Sequence, residues 1–340
     1  MTDELHQSDK GCNTSLTAAA DSEKGREKAM ITTITLNTSI DKAYFMENKI
    51  ENGTVMRVGR VHNTAGGKGL NVARIVRLCG SEVLAGGFVG GFNGSYLTAL
   101  LKEDGVPENF YHCSGETRSC INILDPGYGS TEYLEPGFEI RPEEWKEFKE
   151  KSFPACISKS DVVAMSGSLP KGIGKDAYAE LIRLAKEAGK TVILDTSGES
   201  LKKGIEACPD LVKPNKDEIE ALFDIKITSG EETISYAKKI HEAGVAYVVI
   251  SLGGDGSVLV CDNGIYRART PKLKVVNTVG CGDSMIGGFA VAFERHMDPA
   301  EALKYASSVA SANAMSPNTG DFEQPVFEDI LGKTQVEKIG

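Results

Sequence analysis

Residues 277–289 read NTVGCGDSMIGGF: two glycines around a cysteine, then an aspartate, then small and apolar residues at helical spacing. Free backbone N–H groups at a helix start hold anions, and a carboxylate beside them can accept a proton. The same residues also spell an ordinary turn, with Asp283 or Ser284 capping the helix that follows. A second such stretch is AGGKGLNVARIVRLCG (65–80). Gly66, Gly67 and Gly69 open a helix that turns Leu70, Val72, Ala73, Ile75, Val76 and Leu78 inward, which places Lys68 and Asn71 to hold a polar or anionic ligand. A Gly-rich turn with a solvated lysine gives the same pattern.

Four further segments bear on phosphate chemistry. SGSLPKGI (166–173) follows the apolar run DVVAM, so Ser166 and Ser168 sit at a strand's carboxyl end or in a plain loop ending at Pro170. GETRSCINIL supplies Arg118, a planar fork suited to phosphate and equally to a surface ion pair. KPNKDEIEAL (213–222) puts Asn215 and Glu218 on one face of a first helical turn, as partners of a hydrated Mg²⁺ or as a helix cap. SLGGDGS (251–257) is a glycine-rich strand end that admits a nucleotide or makes a hairpin turn. Two familiar nucleotide motifs fail. Lys68 is followed by Gly69, which excludes a Walker loop, and GCGDSM carries Met285 where a dinucleotide fingerprint needs its third glycine, so hydride transfer ranks low.

The elements that must position these residues are legible as short apolar runs at 31–36, 162–167, 191–196, 211–214 and 247–251. Amphipathic helical patterns at 175–190 and 234–244 lie between them. This alternation predicts an α/β fold with a mainly parallel sheet covered by helices on both faces, and ligands at the carboxyl ends of its strands. Segments 38–63 and 119–139 break the rhythm, alternating apolar and polar residues around turns, and predict a small projecting sheet of antiparallel strands. The expected organisation is a disordered tail over 1–29, an α/β core over 30–37, 64–118 and 140–340, and a β lid over 38–63 and 119–139.

Composition narrows the classes. The 340 residues carry 38 basic and 48 acidic side chains, a formal charge of -10, which argues against a nucleic-acid surface. Without an apolar run long enough to span a bilayer, a membrane role is not expected. The eight cysteines form no CxxC pair and accompany no histidine cluster, so reduced thiols and a cytoplasmic location are expected rather than zinc or disulfides.

Taken together, AGGKGLNVAR, SGSLPKG, KPNKDEIEAL, SLGGDGS and TVGCGDSMIGGF resemble the ribokinase-like phosphofructokinase B family of ATP-dependent sugar kinases. The similarity runs from about Met30 to the end. The resemblance implies Asp283 as catalytic base and Gly280, Cys281 and Gly282 as an anion hole for the transferring phosphoryl group. By the same likeness Asp41, Gly66, Gly67, Lys68 and Asn71 contact the sugar, and Arg118 and Ser168 bind the phosphate that the substrate already carries. Asn215, Ser251, Gly253, Gly256, Gly282 and Asn313 fall on the ATP side, with Asn215 and Glu218 tied indirectly to Mg²⁺. The family's lid also commonly forms a homodimer contact.

Departures from the family pattern are Cys281, where alanine or serine is usual and which predicts sensitivity to thiol reagents, together with Asn277, Thr38 and Phe138. GETRSCINIL, TEYLEPG and ANAMSPNTG resemble the tagatose-6-phosphate kinase branch, with the 1-phosphofructokinase branch next. The expected reaction is therefore ATP-dependent phosphorylation of a ketohexose phosphate: tagatose-6-phosphate first, fructose-1-phosphate as the alternative. A sugar-phosphate sensor on the same fold is the reading without catalysis.

Overall fold

The computed structural model describes residues 30–340, so the expectation for residues 1–29 lies outside the described residues. Ten strands make the main sheet: β1 (Met30–Thr35), β4 (Glu82–Val89), β5 (Glu108–His112), β8 (Val162–Ser166), β9 (Thr191–Asp195), β10 (Leu211–Val212), β11 (Tyr247–Ser251), β12 (Ser257–Cys261), β13 (Gly264–Arg269) and β14 (Gln335–Lys338). Four more, β2 (Ser39–Phe45), β3 (Arg60–Gly66), β6 (Arg118–Asp125) and β7 (Gly129–Leu134), form a separate sheet.

The main order is β14-β13-β12-β11-β10-β9-β8-β1-β4-β5. From β5 to β11 every neighbouring pair is parallel, and β11 to β14 pair antiparallel. Each of the five apolar runs read from the sequence is a strand here, because both faces of a parallel sheet are covered and alternation is lost. On one face pack α1 (Lys68–Leu78), α2 (Gly91–Glu103), α9 (Cys281–Glu294), α10 (Pro299–Met315) and α11 (Gln324–Lys333). On the other pack α3 (Pro142–Glu147), α4 (Phe153–Ile157), α5 (Ala177–Glu187), α6 (Gly198–Ile205), α7 (Lys216–Phe223) and α8 (Gly230–Glu242). Two apolar cores result, with Ile31, Ala164 and Ile193 facing one and Ile34, Val163 and Leu194 the other.

In the small sheet, of order β3-β2-β6-β7, the hairpins β2/β3 and β6/β7 are antiparallel but the central pair β2/β6 is parallel. This corrects the expectation of antiparallel strands throughout. The two hairpins leave the core at separate places and run outward in the same direction, so the strands that meet must be parallel. Strand β3 also continues to Gly66, and β6 begins at Arg118, so residues that touch the core are part of the small sheet.

Candidate active site

The order of the parallel strands reverses between β1 and β8: one branch steps outward through β4 and β5, the other through β9, β10 and β11. Crossover helices then leave on opposite faces and open a crevice above the carboxyl ends. Asn37, Ser166, Asp195, Lys213 and Ser251 all stand at or just beyond these strand ends.

Into this crevice points the start of α9. Gly280 precedes the helix with φ 79°, a left-handed conformation, and a β-carbon there would lie 2.5 Å from Thr319 Cγ2. The turn that frees the helix's first amides therefore needs glycine. Asp283 is 6% exposed, and its Oδ2 accepts a 2.7 Å hydrogen bond from Asn71 Nδ2 in the first turn of α1. Arg74 Nη2 donates to Asn71 Oδ1 at 2.5 Å, which fixes the amide so that its NH₂ faces Asp283.

Two lysines and a second carboxylate complete this corner. Asp195 closes β9 and is buried; it pairs with Lys68 at 3.3 Å and with Lys213, itself buried, at 3.5 Å. Lys213 Nζ would be 3.2 Å from a β-carbon on Gly282, so the ammonium stands beside the α9 start. Burial pushes the Asp283 carboxyl up and the like charge of Asp195 adds to it; Lys68, Asn71 and Lys213 offset part of this, leaving its pKa at about 6. For Asp195 burial acts the same way, but the two ammonium groups outweigh it and hold the carboxyl below its usual range. Burial disfavours the Lys68 ammonium, yet Asp195, Asp283 and Glu218 together keep it charged, with its pKa above the ordinary value.

The sequence reading passed over Asp195 and Lys213. A signal was present: each is a charged residue that ends or follows an apolar strand, where burial demands a partner.

On the lid side, register places Ser39 between Gly66 and Arg118, and Asp41 between Thr64 and Cys120. Ser39 Oγ donates to Asp41 Oδ1 at 2.7 Å, and a β-carbon on Gly66 would fall 2.0 Å from that oxygen. Glycine at 66 thus gives the Asp41 carboxylate its room. Burial raises the Asp41 pKa against the pull of Ser39, Arg74, Arg118 and the Gly67 amide. Arg118 donates to Glu135 O at 3.0 Å and Asn37 O at 3.4 Å, and Asn37 Nδ2 donates to Ser168 Oγ at 3.2 Å. The two residues expected at the substrate's phosphate are therefore linked through Asn37, a third residue the sequence reading did not single out.

On the far side a groove of about 970 Å³ is lined by Asn215, Ser251, Gly253, Gly254, Lys216 and Lys272, among others. Gly253 and Gly254 face open space in the β11–β12 turn, so SLGGDGS is both a hairpin and a groove wall. Gly256 has φ 91°, and a β-carbon there would lie 2.0 Å from Ala268 O, so it shapes the hairpin against β13. Asn313 is wholly buried. Its amide donates to Val279 O and Cys281 Sγ and accepts from the Gly320 and Asp321 amides, a full set that clamps the 277–281 loop and leaves nothing for a ligand. Cys281 is partly buried, and burial raises its thiol pKa. The thiolate that alkylation requires is thereby disfavoured, against the expected thiol sensitivity.

Asn215 and Glu218 form a reciprocal capping box on α7, at 2.8 and 2.9 Å. Glu218 Oε2 is engaged and Oε1 is not, and no group of three or more His, Cys, Asp or Glu side chains suited to a metal occurs among the described residues. One free carboxylate oxygen fits a Mg²⁺ that keeps its waters and takes its remaining ligands from phosphates.

No helix among the described residues is long and apolar enough to cross a membrane. The seven described cysteines are free thiols.

The sequence matches the pfkB family of carbohydrate kinases over residues 34–325. It is 38% identical over 314 residues to a tagatose-6-phosphate kinase of Staphylococcus epidermidis, covering 91% of this chain and all of that one. The structure of Escherichia coli phosphofructokinase-2 in complex with fructose-6-phosphate superposes with TM-score 0.82 at 26% identity, over 89% of this chain and 98% of that one. A possible 1-phosphofructokinase of Thermotoga maritima shares the fold, with TM-score 0.79 at 24% identity over 92% and 100% of the two chains. A match of this extent, over a crevice that gathers a carboxylate, two lysines and a helix start, has one meaning: the chain belongs to the pfkB family and is a carbohydrate kinase of ribokinase-like fold.

Proposed function

We propose that the protein transfers the γ-phosphoryl group of ATP to the C1 hydroxyl of a ketohexose phosphate, converting tagatose-6-phosphate to tagatose-1,6-bisphosphate. One observation carries the phosphorylated substrate. Arg118 donates only to two carbonyls, its Nε has no partner, and it makes no salt bridge among the described residues, although the buried Asp41 carboxyl feels its charge, so the guanidinium is open to an anion beside Ser168. Lys68 and Lys213 near the α9 start, by contrast, already face two carboxylates, Asp195 and Asp283. The 38% identical tagatose-6-phosphate kinase supports this choice of sugar.

In this reading the nucleotide lies in the groove along Ser251, Gly253 and Asn215, with its terminal phosphate toward the amides of Gly280–Gly282 and toward Lys213. Asp41 accepts hydrogen bonds from sugar hydroxyls. Asp283 has one oxygen bonded to Asn71, which leaves Oδ1 for the attacking hydroxyl. As the new O–P bond forms, the bond from the γ-phosphorus to the bridging oxygen breaks and its electron pair leaves with ADP. The hydroxyl proton passes to Asp283. Phosphoryl transfer is largely positioning and charge stabilisation, so a carboxylate is a sufficient base. Mg²⁺ would be held through water by Glu218 and, when bound, offsets charge on the phosphate oxygens.

The small sheet acts as a lid that excludes water. Its face opposite Asp41 exposes Val61 and Tyr133, and its connecting loops expose Val55 and Tyr128, which supports a homodimer through the lid. Sedimentation of Tyr133→Glu checks this: a shift from dimer to monomer is expected, and an unchanged dimer removes the lid from the interface.

The reaction is tested by ADP release with Mg-ATP on tagatose-6-phosphate, fructose-1-phosphate, fructose-6-phosphate and the free ketohexoses in parallel. The highest kcat/KM is expected for tagatose-6-phosphate. A preference for fructose-1-phosphate would replace the sugar but keep the reaction, and turnover confined to free sugars would sink the phosphate reading.

A further inference from the structure

Asn37 follows β1 at the point where the core, the lid and the substrate crevice meet, and it is 5% exposed. Each of its polar groups touches a different element. The side-chain NH₂ donates to Ser168 Oγ, beyond β8, at 3.2 Å. The backbone carbonyl accepts from Arg118 Nη2, in lid strand β6, at 3.4 Å. The side-chain Oδ1 is buried without a hydrogen-bond partner and lies against Gly137, on the lid's return segment: a β-carbon at Gly137 would fall 2.3 Å from Oδ1 and 3.3 Å from Arg118 Cδ. Arg118 Nε is likewise buried and unpartnered. Two orphaned polar atoms in one corner are costly, and native structures keep such groups mainly where function needs them.

We propose that Asn37 is a positioning residue for the phosphate end of the substrate, acting through Ser168 and Arg118. The inference rests on the ketohexose phosphate reading given above and adds the residue that sets its anion corner.

The hydrogen bonds specify how it acts. A serine hydroxyl has one proton and two acceptor lone pairs. With Asn37 Nδ2 donating into one lone pair, the Ser168 proton must point elsewhere, and the open direction is the crevice. Asn37 thereby makes Ser168 a donor toward a phosphate oxygen rather than a free rotor. Its carbonyl, opposite the Glu135 carbonyl of the lid, holds the Arg118 guanidinium from both sides and fixes the plane of the fork. Because the second carbonyl belongs to the lid, the anion corner is complete only while the lid's return segment lies against Asn37. The absence of a side chain at Gly137, whose φ is 84°, permits that approach.

The test is steady-state kinetics of Asn37→Ala, Asn37→Asp, Ser168→Ala and the Asn37→Ala/Ser168→Ala pair in the full-length chain. Asn37→Ala is expected to raise KM for the sugar phosphate about tenfold, leaving kcat and the KM for ATP within about twofold. In Asn37→Asp the carboxylate would accept the Ser168 proton and repel the phosphate, so its KM should exceed that of the alanine variant although the side chain is nearly isosteric. If Asn37 acts through Ser168, the two single effects must not multiply in the double variant. Equal losses in KM and kcat, unchanged kinetics in Asn37→Ala, or an Asp variant as good as wild type would each overturn the proposal. Failure of the broader reading looks different: wild-type protein would then turn over no ketohexose phosphate at all.

Discussion

Around Asp195 one buried carboxylate faces two lysines, and a second carboxylate, Asp283, shares the same field. The arrangement keeps Lys68 charged and fixes Lys213 in place beside the α9 start, and it holds Asp283 near a pKa of about 6, where it releases its proton under ordinary conditions. The sign is testable. Asp195→Asn removes the like charge that raises Asp283 and frees both lysines to lower it, so the acidic limb of the kcat profile should move to lower pH. A limb that stays in place or moves upward would contradict this balance. Lys68, Asn71 and Asp283 were legible because each sits in a motif read along the chain. Asp195 and Lys213 were not, since what marks them is a meeting between two strand ends, and no spacing encodes it.

At the scale of elements, helix starts do most of the placing. The α9 start was legible from Gly280 and Gly282, and the α1 start from Gly66, Gly67 and Gly69. For α7 the sequence left a cap and a metal site open as alternatives; the structure shows the cap, and a Mg²⁺ role for Glu218 belongs to the proposed function. Asn215→Ala should cost about 1 kcal/mol of stability through the lost cap. Glu218→Gln keeps a box-forming side chain and removes only charge, so its urea midpoint should stay near wild type while the Mg²⁺ concentration for half-maximal rate rises. If both variants lost stability equally with no change in Mg²⁺ dependence, Glu218 would be a cap alone.

Strand β4 escaped the sequence reading because Gly86 and Gly87 dilute its apolar run. A β-carbon at Gly87 would lie 1.9 Å from Thr35 O, so close packing against β1, not β propensity, decides that residue. The parallel pairing of β2 with β6 escaped it too, since local alternation signals a strand but not its partner's direction.

Across the whole molecule, the sheet's reversal between β1 and β8 decides where chemistry happens, and the two apolar cores hold the helix starts against it. This layout was legible in outline, because buried strands alternating with amphipathic helices leave few alternatives. In the proposed reading, this layout gives a crevice with an anion corner on the lid side, a nucleotide groove opposite, and Asp283 at the α9 start as the base between them. The measurement that tests this account most directly is kcat against pH for wild type and Asp283→Asn, with Mg-ATP and tagatose-6-phosphate, alongside calorimetric binding of the sugar phosphate. The account predicts a wild-type rate that rises through about pH 6 to a plateau. It also predicts that the variant binds sugar normally yet is slower by roughly two to four orders of magnitude, without that limb. A variant that keeps the wild-type rate and pH profile would remove Asp283 from the reaction and contradict the central claim.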